Sequence, residues 1–210
     1  MPPLKVSDTV PQGFVLLPGK LDRPSQKDMA NHVFRLAEDA PFYTPTMPRT
    51  GQPFSVRMTN FGPLGWVSDQ KGGYRYQELH PETGKPWPDL PDPVIALWQD
   101  VTGRGDAPHC CLVNWYHGPK SKMGLHQDRD EQDLSAPVVS LSLGDEARFR
   151  LGGPKRRGPT ESFVLNSGDA MILGGEARLF FHGIDRIWAG TSDLVKAGGR
   201  LNLTLRRVTA

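Results

Sequence analysis

Cysteine is nearly absent. The 210-residue chain has two, Cys110 and Cys111, and they are neighbours. Adjacent residues of a strand point to opposite faces, so this pair cannot easily bridge itself. There is no basis for a disulfide framework, and a reducing, cytoplasmic setting is expected. Long apolar runs are missing too. None approaches the roughly 18 residues of a membrane-spanning helix, so a membrane role is not expected. The opening stretch, MPPLKVSDTVPQGF, lacks a charged segment followed by a long apolar one, and no secretory signal is expected. Charge of one sign is scarce as well. Lys and Arg number 25 against 23 Asp and Glu, a net +2. So small an excess does not by itself imply nucleic-acid binding, which must rest on local clusters. The chain carries no Walker A loop, dinucleotide-binding glycine fingerprint, G-x-S-x-G elbow, zinc-type cysteine pairs or internal repeat.

Turn formers are abundant. Gly (23) and Pro (20) together make about a fifth of the chain, short of the quarter or more that marks low-complexity disorder. That argues for many turns between short strands and against a helical bundle. The length suits one substantial domain with a small elaboration. Phe14–Leu17 reads as a first strand. Ser25 reads as the N-cap of a helix, with Asp28 three residues on and Met29, Ala30, Val33, Phe34 and Ala37 on one face. From Pro41 to Pro93 the chain is rich in Pro, Gly and aromatics without a clean period. The spacing predicts a strand pair there between about 54–60 and 74–77. Loops of this length are usually functional. Asp92-Pro93 reads as N-cap and N1 of a second helix, ended by Gly103. Beyond Cys110 the period becomes two, predicting strands at 110–117, 122–126, 137–143, 147–151, 161–165, 169–173, 178–183 and 200–208. Short strands at such spacing indicate a sandwich, barrel or jelly roll.

Two patterns carry chemistry. In His126-Gln127-Asp128 an extended backbone puts the imidazole and the carboxylate on one side. With a distal His182 they make the two-His, one-carboxylate facial set of a non-haem iron(II) site, which leaves coordination positions open. A bare H-x-D is also what a surface acidic turn, HQDRDEQD, would contain. A calcium loop starting at Asp128 is excluded, because its sixth position is Asp133 rather than Gly and its twelfth Val139 rather than Glu. The second pattern is Arg200-Leu-Asn202-Leu-Thr204-Leu-Arg206. It is either an amphipathic strand with a solvated polar face or a concave polar wall. In the latter case the two guanidiniums could pair with both ends of a dicarboxylate such as 2-oxoglutarate. Asn114 and Tyr116 share one face of a third strand and offer further hydrogen bonds.

Taken in order, N-x-Y, H-x-D, FFHGI and R-x-N-x-T-x-R resemble the AlkB family of iron(II)/2-oxoglutarate dioxygenases. LHQDRDEQDLSAPVVSLSLG, GGPKRRGP, GGEARLFFHGI, LGWVS and KPWPDLP are similar too, and the likeness spans about residues 50–208. The resemblance implies a mainly β chain with flanking helices: a double-stranded β-helix (jelly roll) with an N-terminal nucleotide-recognition lid. Residues 1–108 would form the extension, helices and lid, and 109–210 the catalytic core. It implies His126, Asp128 and His182 as iron(II) ligands. Asn114, Tyr116, Arg200, Asn202, Thr204 and Arg206 would bind 2-oxoglutarate, with Ser140 nearby. It implies Trp66, Tyr74, Arg75, Tyr76, Asp130 and Arg156 as substrate contacts. Trp66 would stack on the base, Asp130 would meet an alkylated base's exocyclic amine or positive charge, and Arg156 would sit in a basic turn suited to phosphate.

The implied reaction uses oxygen and 2-oxoglutarate to hydroxylate the N-alkyl carbon of bases such as 1-methyladenine and 3-methylcytosine, releasing formaldehyde and succinate. Its substrate would be single- or double-stranded alkylated DNA, with RNA as an extension, the base being flipped or already unpaired. A monomer is expected. Two alternatives remain open: an oxygenase of the same fold acting on protein, lipid or free nucleobase, and a non-catalytic nucleic-acid-binding module. The departures from the best-known bacterial member are one extra residue in the HGPKSK loop, Leu173 in place of a Trp, and a longer Gln70–Gly73 segment. All three bear on substrate range.

Overall fold

The computed structural model describes residues 11–118 and 120–210. Residues 1–10, most of the stretch read for a secretory signal, and Pro119 of the HGPKSK loop lie outside the described residues. Among the described residues no helix is long and apolar enough to cross a membrane.

Strict alternation organises the C-terminal part of the chain. Along β12 (Arg200–Arg206), Leu201, Leu203 and Leu205 enter one apolar cluster, while Arg200, Asn202, Thr204 and Arg206 line a cavity on the other side. The strand is therefore buried on both faces, and the concave polar wall is the arrangement found. It lies inside a six-stranded sheet with β5 (Cys110–Tyr116) and β7 (Val138–Gly144) as direct neighbours. Beyond them lie β10 (Ala170–Leu173) and β1 (Phe14–Leu17) on one side and β2 (Arg57–Phe61) on the other. A second sheet has the order β6 (Met123–His126), β11 (His182–Trp188), β8 (Glu146–Leu151), β9 (Glu161–Leu165). Every pairing in both sheets is antiparallel. Two facing antiparallel sheets around a cavity make the expected jelly roll.

The helices pack outside the larger sheet. Met29, Ala30 and Val33 of α1 (Arg23–Leu36) and Val94, Leu97 and Trp98 of α2 (Asp92–Thr102) bury against the three leucines of β12. Between the sheets, Phe14, Phe149, Leu165 and Ile184 belong to the other cluster. Cys110 and Cys111 are buried in different clusters and both are free, as opposite-facing neighbours must be.

Several boundaries differ from expectation. Asp22, not Ser25, caps α1: its carboxylate accepts from the Ser25 amide at 2.9 Å, and Pro24 occupies the first turn. Pro91, not Asp92, is the N-cap of α2, so Asp92 lies inside the first turn near the positive helix end. Gly103 ends that helix with φ 67°, as expected. The strand pair at 54–60 and 74–77 does not exist. β4 (Gly73–Gln77) pairs with β3 (Gly65–Asp69), and β2 instead joins β5 of the larger sheet. Of the predicted strand 178–183, Arg178 and Leu179 end a short 3-10 turn, Gly175–Leu179, Phe180 and Phe181 are irregular, and only His182 and Gly183 are strand, opening β11. Glycine at 174 and 175, with φ 49° at Gly175, favours the turn over a strand there.

Candidate metal and co-substrate site

His126 ends β6 and His182 begins β11, and the two residues are direct partners across that antiparallel pair. The close approach depends on Gly183. A side chain there would place Cβ 2.5 Å from the Met123 carbonyl oxygen. Asp128 follows two residues after His126. The ligand atoms of His126, Asp128 and His182 all lie within 4.8 Å of one another. His126 Nε2 is 3.7 Å from Asp128 Oδ1, and His182 Nε2 is 3.8 Å from Asp128 Oδ2. The residue 56 positions downstream is thus brought beside the H-x-D segment by strand pairing.

Backbone contacts set the tautomers. His126 Nδ1 lies 2.9 Å from the Gly124 carbonyl oxygen and His182 Nδ1 lies 3.0 Å from that of Phe180. A carbonyl only accepts, so each Nδ1 carries the proton and donates it. In the neutral ring, Nε2 keeps its lone pair on the Asp128 side, which is the form a metal requires. Burial, and then the neighbouring His126, push the His182 pKa down to about 4, so this ring is neutral near pH 7. Burial alone would raise the Asp128 pKa. Arg206, with His182, His126 and Arg178, outweighs it and holds the carboxyl well below its usual range. The donor set of two imidazoles and one carboxylate fits a divalent first-row metal with open positions.

The polar wall of β12 runs away from this centre. Arg206 Nη2 donates to Asp128 Oδ1 at 2.9 Å. Asn202 Nδ2 donates to Ser140 Oγ at 2.7 Å, and Asn114 Nδ2 and Thr204 Oγ1 donate to Asn202 Oδ1 at 3.3 and 3.0 Å. Arg200 is 1% exposed, donates to Ser142 Oγ at 2.9 Å, and has its guanidinium carbon 5.1 Å from the centroid of the Tyr116 ring. Its Nε and Nη1 have no hydrogen-bond partner. Arg206 Nε and Nη1 and Asn114 Oδ1 also have none, although Nε lies 3.5 Å from Glu131 Oε1. Buried guanidinium donors are costly to leave unmade. Two such groups, one at each end of one strand, fit an elongated dianion with a carboxylate at each end, which is the shape of 2-oxoglutarate.

The cavity encloses about 320 Å³. Its outer part carries the aromatic residues. Trp66 lies against Tyr74, with ring centroids 5.6 Å apart and planes 21° from parallel, and meets Phe54 edge-on at 6.4 Å. Trp66 Nε1 donates to Asp130 Oδ2 at 2.8 Å. The Trp66 backbone is clamped by both ends of the Asn60 amide. Trp66, Tyr74, Asp130 and Arg156 all line the cavity, and the Lys155-Arg156-Arg157 turn between β8 and β9 is exposed. Arg75 and Tyr76 are not in its lining. Arg75 pairs with Asp69 at 2.8 Å, and the Tyr76 hydroxyl donates to Glu131 Oε1.

Sequence reasoning missed Glu131 and Arg178. Both are buried, and Arg178 Nη2 donates to Glu131 Oε2 at 3.0 Å. Each is charged, three residues after Asp128 and four before His182 respectively. That adjacency was the available signal, but nothing in the alternation marked either position as buried.

The model of the 2OG-Fe(II) oxygenase superfamily matches residues 13–206. An alpha-ketoglutarate-dependent dioxygenase AlkB homolog of Caulobacter vibrioides is 52% identical over 201 residues, covering 95% of this chain and 89% of that protein. The alpha-ketoglutarate-dependent dioxygenase AlkB of Escherichia coli is 44% identical over 176 residues, covering 82% and 80%. Among solved structures, OsALKBH1 is 34% identical with a TM-score of 0.77, covering 94% of this chain and 99% of that one.

Proposed function

The chain belongs to the AlkB group of the 2OG-Fe(II) oxygenase superfamily, and we propose that it repairs nucleic acid by oxidative removal of N-alkyl groups from bases of the 1-methyladenine and 3-methylcytosine type. The observation that carries this reading is the His126–Asp128–His182 cluster, with Asp128 and His182 buried and His126 partly exposed, at one end of a wall with two incompletely partnered arginines. The cofactors are iron(II), 2-oxoglutarate and oxygen.

In this reading His126, Asp128 and His182 hold iron(II), and Arg206 keeps Asp128 ionised. Arg200 and Arg206 take the two carboxylates of 2-oxoglutarate, with Asn114, Tyr116, Asn202 and Thr204 shaping the wall between them. Bound there, iron(II) supplies the chemistry that splits oxygen between the two substrates. One oxygen atom converts 2-oxoglutarate to succinate and carbon dioxide, and the other hydroxylates the alkyl carbon. The resulting N-hydroxymethyl base breaks its carbon–nitrogen bond, giving formaldehyde and the unmodified base.

The chain's own residues choose the substrate. Trp66 and Tyr74 receive the flipped or unpaired base, for which stacking on an aromatic is worth about 1–3 kcal/mol. The Asp130 carboxylate favours the positive charge of an alkylated ring. Arg156 and its basic neighbours meet phosphate. Arg75 and Tyr76 support this side from outside the cavity. Residues 109–210 act as the catalytic core, and 1–108 supply the lid together with β1 and β2, which complete the larger sheet. The finer expectations belong to the same proposal: a monomer in a reducing cytoplasm, acting on single- or double-stranded DNA and also on RNA.

The test is digestion to nucleosides after incubation with iron(II), 2-oxoglutarate and air, using matched oligonucleotides containing 1-methyladenine. Recovery of adenosine or deoxyadenosine supports the reading and ranks DNA against RNA and single against double strands. Turnover of 2-oxoglutarate with no base restored on any nucleic acid would move the search to protein, lipid or free nucleobase.

A further inference from the structure

We infer that Tyr76 and Glu131 are positioning residues that tie the base-side hairpin to the co-substrate end of the site. This rests on the reading of that site as an iron(II)/2-oxoglutarate centre. The hairpin of β3 and β4 is fastened twice to the segment that follows Asp128. Trp66 Nε1 donates to Asp130 Oδ2 at 2.8 Å, and the Tyr76 hydroxyl donates to Glu131 Oε1. Asp130 and Glu131 are neighbours facing different ways. Both border the cavity, but Asp130 is exposed beside the stacked aromatics, whereas the Glu131 side chain is only 1% exposed.

Glu131 divides its two oxygens. Oε2 accepts from Arg178, which also donates to the backbone oxygen of Asp128 and, at 2.9 Å, to that of Ala136. Oε1 accepts from Tyr76 and lies 3.5 Å from Arg206 Nε. Arg206 in turn holds Asp128 Oδ1 at 2.9 Å. Arg206 is thus shared between a metal-binding carboxylate and a carboxylate that the hairpin holds through one hydroxyl. Two acids and two arginines balance in charge, but buried ion pairs of this kind are weak evidence for stability, since apolar replacements often do as well. What such a network fixes is geometry: the Asp128 backbone through Arg178, and the direction of Arg206 through Glu131.

Tyr76→Phe is the discriminating variant, because the ring still packs and only the hydroxyl is lost. Glu131 Oε1 then keeps Arg206 as its remaining polar neighbour and draws it away from Asp128 and from the co-substrate. The experiment is calorimetric titration of 2-oxoglutarate into the whole protein loaded with Mn(II), without oxygen, beside the apo melting temperature. A second readout is the succinate-to-formaldehyde ratio under turnover. The expected result is 2-oxoglutarate affinity about three- to tenfold weaker, and more succinate than formaldehyde where the unchanged protein gives equal amounts. Glu131→Gln, which keeps an acceptor but removes the charge, should move the same two readouts in the same direction. Tyr76→Phe binding 2-oxoglutarate within twofold of the unchanged protein, with equal products, would overturn the inference and leave Tyr76 a packing residue. Failure of the unchanged protein to bind 2-oxoglutarate would instead overturn the functional reading beneath it.

Discussion

Replacing Arg200 with methionine separates two quantities that usually fall together. Arg200 is 1% exposed, has no carboxylate partner among the described residues, and leaves Nε and Nη1 without hydrogen bonds. Its contacts are one bond to Ser142 Oγ and the Tyr116 ring. Burial accordingly lowers its pKa, with Tyr116 opposing. If those two free donors meet a co-substrate carboxylate, each charge-assisted bond is worth about 1.5–2 kcal/mol net. Their loss then costs roughly 3–4 kcal/mol, or two to three powers of ten in affinity. The fold itself loses little. Removing a buried charge with no partner in favour of an apolar chain of similar length is neutral or stabilising. Calorimetry of 2-oxoglutarate with the Mn(II)-loaded protein should show a dissociation constant about a hundredfold or more higher for Arg200→Met. The apo melting temperature should be equal or raised. An affinity within threefold of the original, or a melting temperature lowered by ten degrees, would refute the assignment of Arg200 to the co-substrate.

Other outcomes follow from the same geometry. Trp66→Ala removes the stacking surface and frees Asp130, so oligonucleotide use should fall about 10- to 100-fold while uncoupled 2-oxoglutarate decarboxylation persists; equal loss of both, measured as succinate and formaldehyde, would make Trp66 structural. Gly183→Ala puts a methyl group against the backbone of Met123 and Gly124, so β6 and β11 must part and Mn(II) affinity should fall at least tenfold, read by titration, with little change in the outer aromatic wall. His182 has a folded pKa of about 4 against an ordinary 6.5, so between those values the unfolded chain takes up a proton that the folded one refuses. Its contribution is complete above pH 6.5 and is lost as pH falls toward 4, about 3 kcal/mol in all. Denaturant unfolding of the apo protein at pH 7 and pH 4.5 should show this loss, and His182→Gln should reduce it.

The sequence made strands legible where alternation was strict, and helices where apolar spacing was regular. β12 was readable residue by residue, since its leucines and polar residues sort to opposite faces. The iron-type cluster was readable as residue types, because an extended H-x-D segment and a distal His need only one strand pairing to meet. Two things were not legible. Pairing in the 41–93 region was not, because nothing local distinguishes β2 joining β5 from β2 joining β4, and that choice is settled by distant contacts. The Glu131–Arg178 pair was also hidden, since charged residues in an acidic turn read as solvated until a second chain segment covers them. Tyr74 and Tyr76 share a strand face, yet one reaches the cavity and the other reaches Glu131, a difference set by hairpin docking rather than by spacing.

The most direct test of the account is formaldehyde release from a single-stranded oligonucleotide containing 1-methyladenine, with iron(II), 2-oxoglutarate and ascorbate under air, measured beside His126→Ala. Release should require 2-oxoglutarate, match succinate one for one, and vanish in the variant, because one of three ligands to the iron is gone. Release that survives in His126→Ala, or that proceeds without 2-oxoglutarate, would contradict it.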